Sequence, residues 1–226
     1  MEITVRGILV LVALIVLSAC APAAVQHARA RGGTHPLRLV FVGSSITSGL
    51  FASSAGRTYP RLVVDALRAA GRTVRPTILA EGGVTVDDAL RWAVASPADA
   101  VVLQLGTNDY GDAVPLSTFR EGYTVLVDRI HSVSPRARLL CMGGWDDPLT
   151  PNRLGVTGGQ YDAAARNVCV GARGTFVDLA PLYAQPENHG PNGRFTYLGL
   201  GDWFHPNDRG HRKLADLVVA RLGVGG

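Results

Sequence analysis

A serine hydroxyl becomes an effective nucleophile only beside a base that takes its proton. A histidine becomes such a base when a carboxylate holds its tautomer. Two short stretches of this chain supply those types. Gly43-Ser44-Ser45 follows the apolar run 37–42, so a Gly-x-Ser turn there would lift the Ser45 hydroxyl above the end of a strand. Asp202-Trp203-Phe204-His205 sets a carboxylate three residues before an imidazole, which can fix one ring nitrogen and leave the other free as a base. An aspartate and histidine this close could also be a metal pair, but no Cys/His/carboxylate cluster elsewhere in the sequence completes such a site. Two further loops could serve a reacting carbonyl. Glu81-Gly82-Gly83 would let backbone N–H groups approach a ligand closely, and Asn108 in Gly106-Thr107-Asn108-Asp109 carries an amide able to donate to a developing oxyanion. Taken singly, each stretch is also an ordinary loop, a turn or a phosphate cradle.

The remaining histidines act as controls. His27 and His35 fall in a Pro/Gly/Arg-rich stretch, while His131 and His211 fall on expected helices and are read as surface or boundary residues. His189, in the Gly/Asn/Pro-rich loop 180–201, is the rival base. Trp145, Asp146 and Asp147 follow an expected strand and could line a cleft, although Trp145 reads first as a packing residue.

The elements that must position these groups follow from periodicity. The apolar run 37–42 signals a buried strand, 100–105 is the clearest strand, and 74–80, 137–142 and 175–179 are further strand candidates. Apolar residues at helical spacing predict helices over 60–70, 86–94, 116–133, 160–170 and 208–222. Strands alternating with helices imply βαβ crossovers and a mainly parallel sheet of five strands in an α/β fold, a three-layer α/β/α sandwich. In such sheets ligands bind beyond the carboxyl ends of the strands, and the loops singled out above all follow strands.

Together, in order and position, the four blocks resemble the SGNH (GDSL-type) serine hydrolase family, whose fold is flavodoxin-like. Gly43-Ser44-Ser45 matches its Gly-Asp-Ser block, Gly82 its glycine block with Gly83 as the register alternative, Gly106-Thr107-Asn108-Asp109 its Gly-x-Asn-Asp block, and Asp202-Trp203-Phe204-His205-Pro206 its Asp-x-x-His-Pro block. The resemblance covers about 38–222. It implies Ser45 as nucleophile, His205 as base, Asp202 as the carboxylate that orients it, and an oxyanion hole from the Ser45 and Gly82 N–H groups and the Asn108 side chain. It implies no metal or organic cofactor. Two departures stand out: Ala80 replaces the Asn that usually precedes the glycine block, and Ser44 replaces the family's Asp, which puts the bracing of that loop in question.

The expected activity is hydrolysis of carboxylic esters, O-acetyl or short acyl groups on envelope glycans or lipids. The alternatives are acyl transfer to a sugar hydroxyl, lysophospholipase or thioesterase action, and a non-catalytic glycan- or lipid-binding module. About 190 residues spent on five strands and their helices leave no obvious lid domain.

The amino terminus speaks for export. Arg6 precedes the aliphatic run 8–17, which is too short to span a bilayer and ends in Leu17-Ser18-Ala19-Cys20, resembling a bacterial lipobox. Residues 1–20 are therefore expected to be a signal peptide with Cys20 as the lipidation site, 21–36 a flexible tether, and 37–226 the hydrolase domain. The expected location is the outer face of the cell membrane or the envelope, with the membrane reached through that lipid; release as a secreted protein is the alternative. An oxidising compartment would let Cys141 and Cys169 pair; two buried free thiols are the alternative. Net charge is +4, and the arginines that carry it are scattered with no basic stripe, so a nucleic-acid partner is not expected. The domain is expected to act as a monomer.

Overall fold

Mostly apolar segments of three to seven residues, none with more than one charge, form the sheet, and the edge strand of 74–80 is exposed over most of its length. In the structure, a computed structural model, residues 35–92 and 96–223 are described. The expected signal peptide, Cys20 and all but the last two tether residues lie outside them. β1 (Leu37–Gly43), β2 (Val74–Ala80), β3 (Ala100–Gln104), β4 (Arg138–Met142) and β5 (Thr175–Val177) make one parallel sheet in the order β2-β1-β3-β4-β5. The strand order reverses beside β1, so β1 and β3 diverge to opposite connections at their carboxyl ends and leave a crevice there.

Alternation along β1 assigns its side chains to two faces. Val40 and Val42 join the core under α5 (Leu116–Val133) and α6 (Gly158–Gly171), with Phe119, Tyr123, Leu126 and Ile130 from α5 and Tyr161 and Ala165 from α6. Leu39 and Phe41 join the core under α2 (Tyr59–Ala69) and α8 (Asp208–Arg221), with Leu62, Val63 and Leu67 from α2 and Leu214 and Val218 from α8. This is the expected three-layer α/β/α fold with a five-stranded sheet. Within the first core Cys141 of β4 and Cys169 of α6 are joined by a disulfide with their Cα atoms 6.3 Å apart, which decides the question the sequence left open.

Three expectations need correction. The helix expected over 86–94 stops early. α3 (Val86–Ala89) opens on a capping box between Thr85 and Asp88, and then tightens into i→i+3 bonds through Leu90, Arg91 and Trp92. The far end of that expected helix, Ala93 and Val94, lies outside the described residues. The loop 180–201 is not structureless: it holds α7 (Ala180–Tyr183), a 3-10 turn (Pro186–Asn188) and a hairpin of β6 (Phe195–Thr196) and β7 (Gly199–Leu200). Finally, His211 is fully buried rather than at the surface. It stacks from α8 on Tyr59 of α2, and the chain leaving β1 covers it at Leu50.

Candidate active site

The turn after β1 depends on a glycine. A Cβ on Gly43 would lie 2.0 Å from the Thr47 Oγ1 and 2.8 Å from the Gln104 carbonyl oxygen, so only the bare backbone lets β1 end this close to β3. The chain then opens the single-turn helix α1 (Ser45–Ser48), with Ser45 at its first position and 5% exposed. The turn before α8 is built by its own side chains. Asp202 Oδ1 accepts from the N–H groups of Phe204 and His205 at 2.8 and 2.7 Å. Asn207 caps α8 by accepting from Arg209 and Gly210, while its amide donates to the carbonyls of Glu187, His189 and Gly190.

These two turns meet. Asp202 Oδ2 lies 2.9 Å from His205 Nδ1, and His205 Nε2 lies 2.9 Å from Ser45 Oγ. With the proton held on Nδ1 by the carboxylate, Nε2 presents a lone pair to the serine hydroxyl. Burial pulls the Asp202 pKa upward, but the bonds from the His205 N–H, the His205 ring and the Phe204 N–H outweigh it and hold the carboxyl below its ordinary value. It therefore stays ionised at neutral pH, as an orienting carboxylate must.

α4 (Thr107–Gly111) opens at the end of β3 and carries Asn108, whose amide donates to the Val84 carbonyl at 2.8 Å. One amide proton is thus spent on orientation and the other remains for a ligand. The neighbouring Asp109 is buried and accepts from the Val86 N–H. Burial pushes its pKa up to about 6. Gly82 is open to solvent on its Cα side, with only Leu50 Cδ2 at 4.0 Å from where a Cβ would be. Among the described residues neither the Gly82 N–H nor the Ser45 N–H donates to another group of the chain.

With this geometry in hand, similarity to known proteins can be weighed. A family model described as the GDSL-like lipase/acylhydrolase family matches residues 41–213. The chain belongs to that family. Solved structures share the fold at low identity. A psychrotrophic esterase, EstA, from Pseudoalteromonas sp. superposes with a TM-score of 0.66 at 15% identity, covering 82% of this chain and 96% of its own. An acetyl xylan esterase superposes at 0.64 and 18%, covering 82% and 100%. A lipase/acylhydrolase from Enterococcus faecalis superposes at 0.62 and 21%, covering 82% and 95%. No curated protein matches. This GDSL-like acylhydrolase is a carboxylic ester hydrolase.

The rival base is otherwise engaged. In the acylhydrolase the ring of His189 lies between two carbonyls, with Nδ1 2.9 Å from Trp203 O and Nε2 2.6 Å from Tyr183 O. It braces the turn that carries His205. Trp145 is fully buried, as its reading as a packing residue required, and its indole also donates to the Phe204 carbonyl at 2.7 Å. Two consecutive carbonyls of the Asp202–His205 turn are therefore tied down from beneath. His211 ties down the other turn. Its Nδ1 accepts from the Tyr59 N–H at 3.3 Å and its Nε2 donates to the Leu50 carbonyl at 3.1 Å. Burial lowers its pKa to about 4, so the ring is neutral, with the proton on Nε2.

Sequence reading missed Phe51. Its ring stands edge-on to His205 at 4.6 Å, and its backbone is left-handed with φ 63°. A non-glycine residue held in that region costs free energy of order 1 kcal/mol and tends to mark a functional site. Nothing in the apolar period marks it. Its one sequence signal is its place six residues after Ser45. Ser44, which departs from the family's Asp, is buried with its hydroxyl unpartnered.

Proposed function

We propose that this acylhydrolase cleaves O-acetyl or other short-acyl esters on envelope glycans or lipids through an acyl-enzyme on Ser45. The hydrogen-bonded chain Asp202–His205–Ser45, with both links at 2.9 Å, carries the reading. Ser45 Oγ attacks the acyl carbonyl while His205 Nε2 takes its proton. The tetrahedral oxyanion forms beside the Ser45 and Gly82 N–H groups and the free amide proton of Asn108. His205 then returns the proton to the leaving alcohol oxygen as the C–O bond breaks. Water then attacks the acyl carbonyl while His205 takes its proton, and His205 passes that proton to Ser45 Oγ as the acyl–Oγ bond breaks, releasing the acid and free Ser45. Every side chain the mechanism uses comes from one chain, so a monomer, the state we propose, would suffice for the reaction.

The proposed setting is outside the cytoplasm, with Cys20 lipidated and the domain tethered at the membrane or envelope. The Cys141–Cys169 bond fits an oxidising compartment. Replacing Cys20 with Ala should release the protein from the membrane fraction of its host. An unchanged membrane fraction would remove the anchor from this picture.

The activity is tested on p-nitrophenyl esters from acetyl to palmitoyl. Wild type should turn over the short esters fastest, and Ser45→Ala should fall by roughly 10⁴-fold or more. A Ser45→Ala protein that keeps wild-type rates would refute the acyl-enzyme, and a preference for palmitoyl would refute the short-acyl assignment.

A further inference from the structure

Trp203 lies within the Asp202–His205 turn and is not used by the proposed mechanism. A large aromatic side chain usually buries most of its surface, yet Trp203 is 66% exposed. It is not exposed through looseness. Its carbonyl is held by His189, and its six-membered ring packs on Gly190, where a Cβ would fall 2.5 Å from Cε3 and 2.6 Å from Cζ3. Gly190 also has φ 59°, so the position excludes a side chain both by conformation and by contact with the indole. Among the described residues the Trp203 indole N–H makes no hydrogen bond. The ring is a fixed platform with a free donor.

The platform walls a cleft of about 500 Å³, shared with Tyr183, His189, Pro186, Pro148 and Asp147. Asp147 is held in place by the Leu149 N–H at 3.0 Å and the Thr150 hydroxyl at 2.8 Å. These bonds lower its pKa, so it is a charged acceptor at neutral pH with lone pairs to spare. An acyl chain would gain nothing from an oriented carboxylate and would pay to desolvate it. A pyranose ring suits both features. Its C–H face, polarised by the ring oxygens, stacks on the electron-rich face of an indole, and its hydroxyls donate to carboxylate and accept from indole N–H.

We propose that Trp203 and Asp147, which line this cleft together, form a subsite for a sugar ring of an acylated glycan, at the same carboxyl-end rim of the sheet that carries Ser45 and His205. The proposal rests on the esterase reading above and narrows its substrate from glycans or lipids to glycans. Because the platform is pre-positioned, little ordering free energy is lost on binding, and truncating it should act mainly on KM.

The test compares wild type, Trp203→Ala, Trp203→Phe and Asp147→Asn on acetylated xylo-oligosaccharides and on p-nitrophenyl acetate, which carries no sugar ring. The acetyl xylan esterase among the similar folds makes that glycan the first to try. For Trp203→Ala, the ratio of kcat/KM on the oligosaccharide to that on p-nitrophenyl acetate should fall at least tenfold, through KM. Trp203→Phe should restore most of the ratio, and Asp147→Asn should lower it severalfold. Equal losses on both substrates would show that Trp203 only braces the His205 turn and would overturn the proposal. So would a selective loss on p-nitrophenyl palmitate micelles, which would make the face a lipid contact. If wild type were inert on every ester, the esterase reading would fail by itself. Titrating wild-type tryptophan fluorescence with the same oligosaccharides would still decide the subsite: a saturable change lost in Trp203→Phe supports it, and no change overturns it.

Discussion

At the scale of single residues, the site combines groups that are tightly partnered with one that is not. Asn108 reaches its position because one amide proton is committed to the Val84 carbonyl. Asn108→Ala should lower kcat on p-nitrophenyl acetate by about 10²–10³-fold with little change in KM, as expected for a donor that matters chiefly in the transition state. Ser44 is the opposite case, a buried hydroxyl with no partner where the family carries Asp. A buried polar group left unsatisfied costs about 1–3 kcal/mol, so Ser44→Ala should hold or raise the melting temperature and leave kcat within twofold. A clear drop in melting temperature would show that the hydroxyl is satisfied in solution. That Ser45, His205 and Asp202 meet was legible in the sequence because chemistry restricts which residue types can form such a chain. The braces were not. His189 holds a carbonyl by ring nitrogens that could equally have acted on substrate, and His211 is distinguishable from a surface histidine only once the turn after β1 is seen to fold over it.

Among the elements, the strands were the most legible, since a short, mostly apolar run between loop-forming residues has few other uses. β2 and α5 fall on their predicted bounds and the other strands within two residues. Short helices were not legible. α1, α4 and α7 have four or five residues each, less than the two turns needed for an apolar period to repeat, and α3 stops where tertiary context replaces helical bonding. The hairpin of β6 and β7 was hidden for a related reason. With two residues on each side it shows no alternation, and its Tyr197 N–H is satisfied by the Ala52 carbonyl in another loop. The disulfide joins β4 to α6 across 28 residues, a loop whose closure in the unfolded chain is worth about 3.6 kcal/mol. Replacing Cys141 and Cys169 together by Ala should lower stability by roughly 2–4 kcal/mol in urea titration while kcat/KM stays near wild type, because the bond lies in the core under α5 and α6, away from the Ser45–His205 contact. Loss of kcat at full stability would show that the bond tunes the site.

For the molecule as a whole, pH acts through buried acids. Burial raises Asp109 and Asp162 to about 6 and Asp146 to about 7, while unfolded aspartates titrate near 3.8. Between those values the folded chain holds protons that the unfolded chain has lost, so stability declines as pH rises from about 4 to about 7. His211 works against this. Its pKa of about 4, below the ordinary 6.5, means the unfolded chain binds the extra proton there, so its contribution grows with pH across the same window. Three carboxyls outweigh one imidazole. The melting temperature should therefore be higher near pH 5 than near pH 8, and Asp146→Asn should flatten the slope between pH 5 and pH 8. A melting temperature that climbs steadily to pH 8 would show those carboxyls ionised in the fold. Geometry at the same scale has a practical side. All five strands run the same way, so every loop of the site gathers at one edge of the sheet, while Leu37 enters at the other edge and Arg138, at the start of β4, grips the carbonyls of Arg221 and Leu222 there. The folded domain thus has a working rim and a handle, and the handle holds Leu37 at the start of its first strand and Leu222 at the close of its last helix. A support, a carrier protein or a second enzyme coupled beside either residue would leave the cleft facing outward, and a new linker joining the two would allow the chain to be cut open elsewhere.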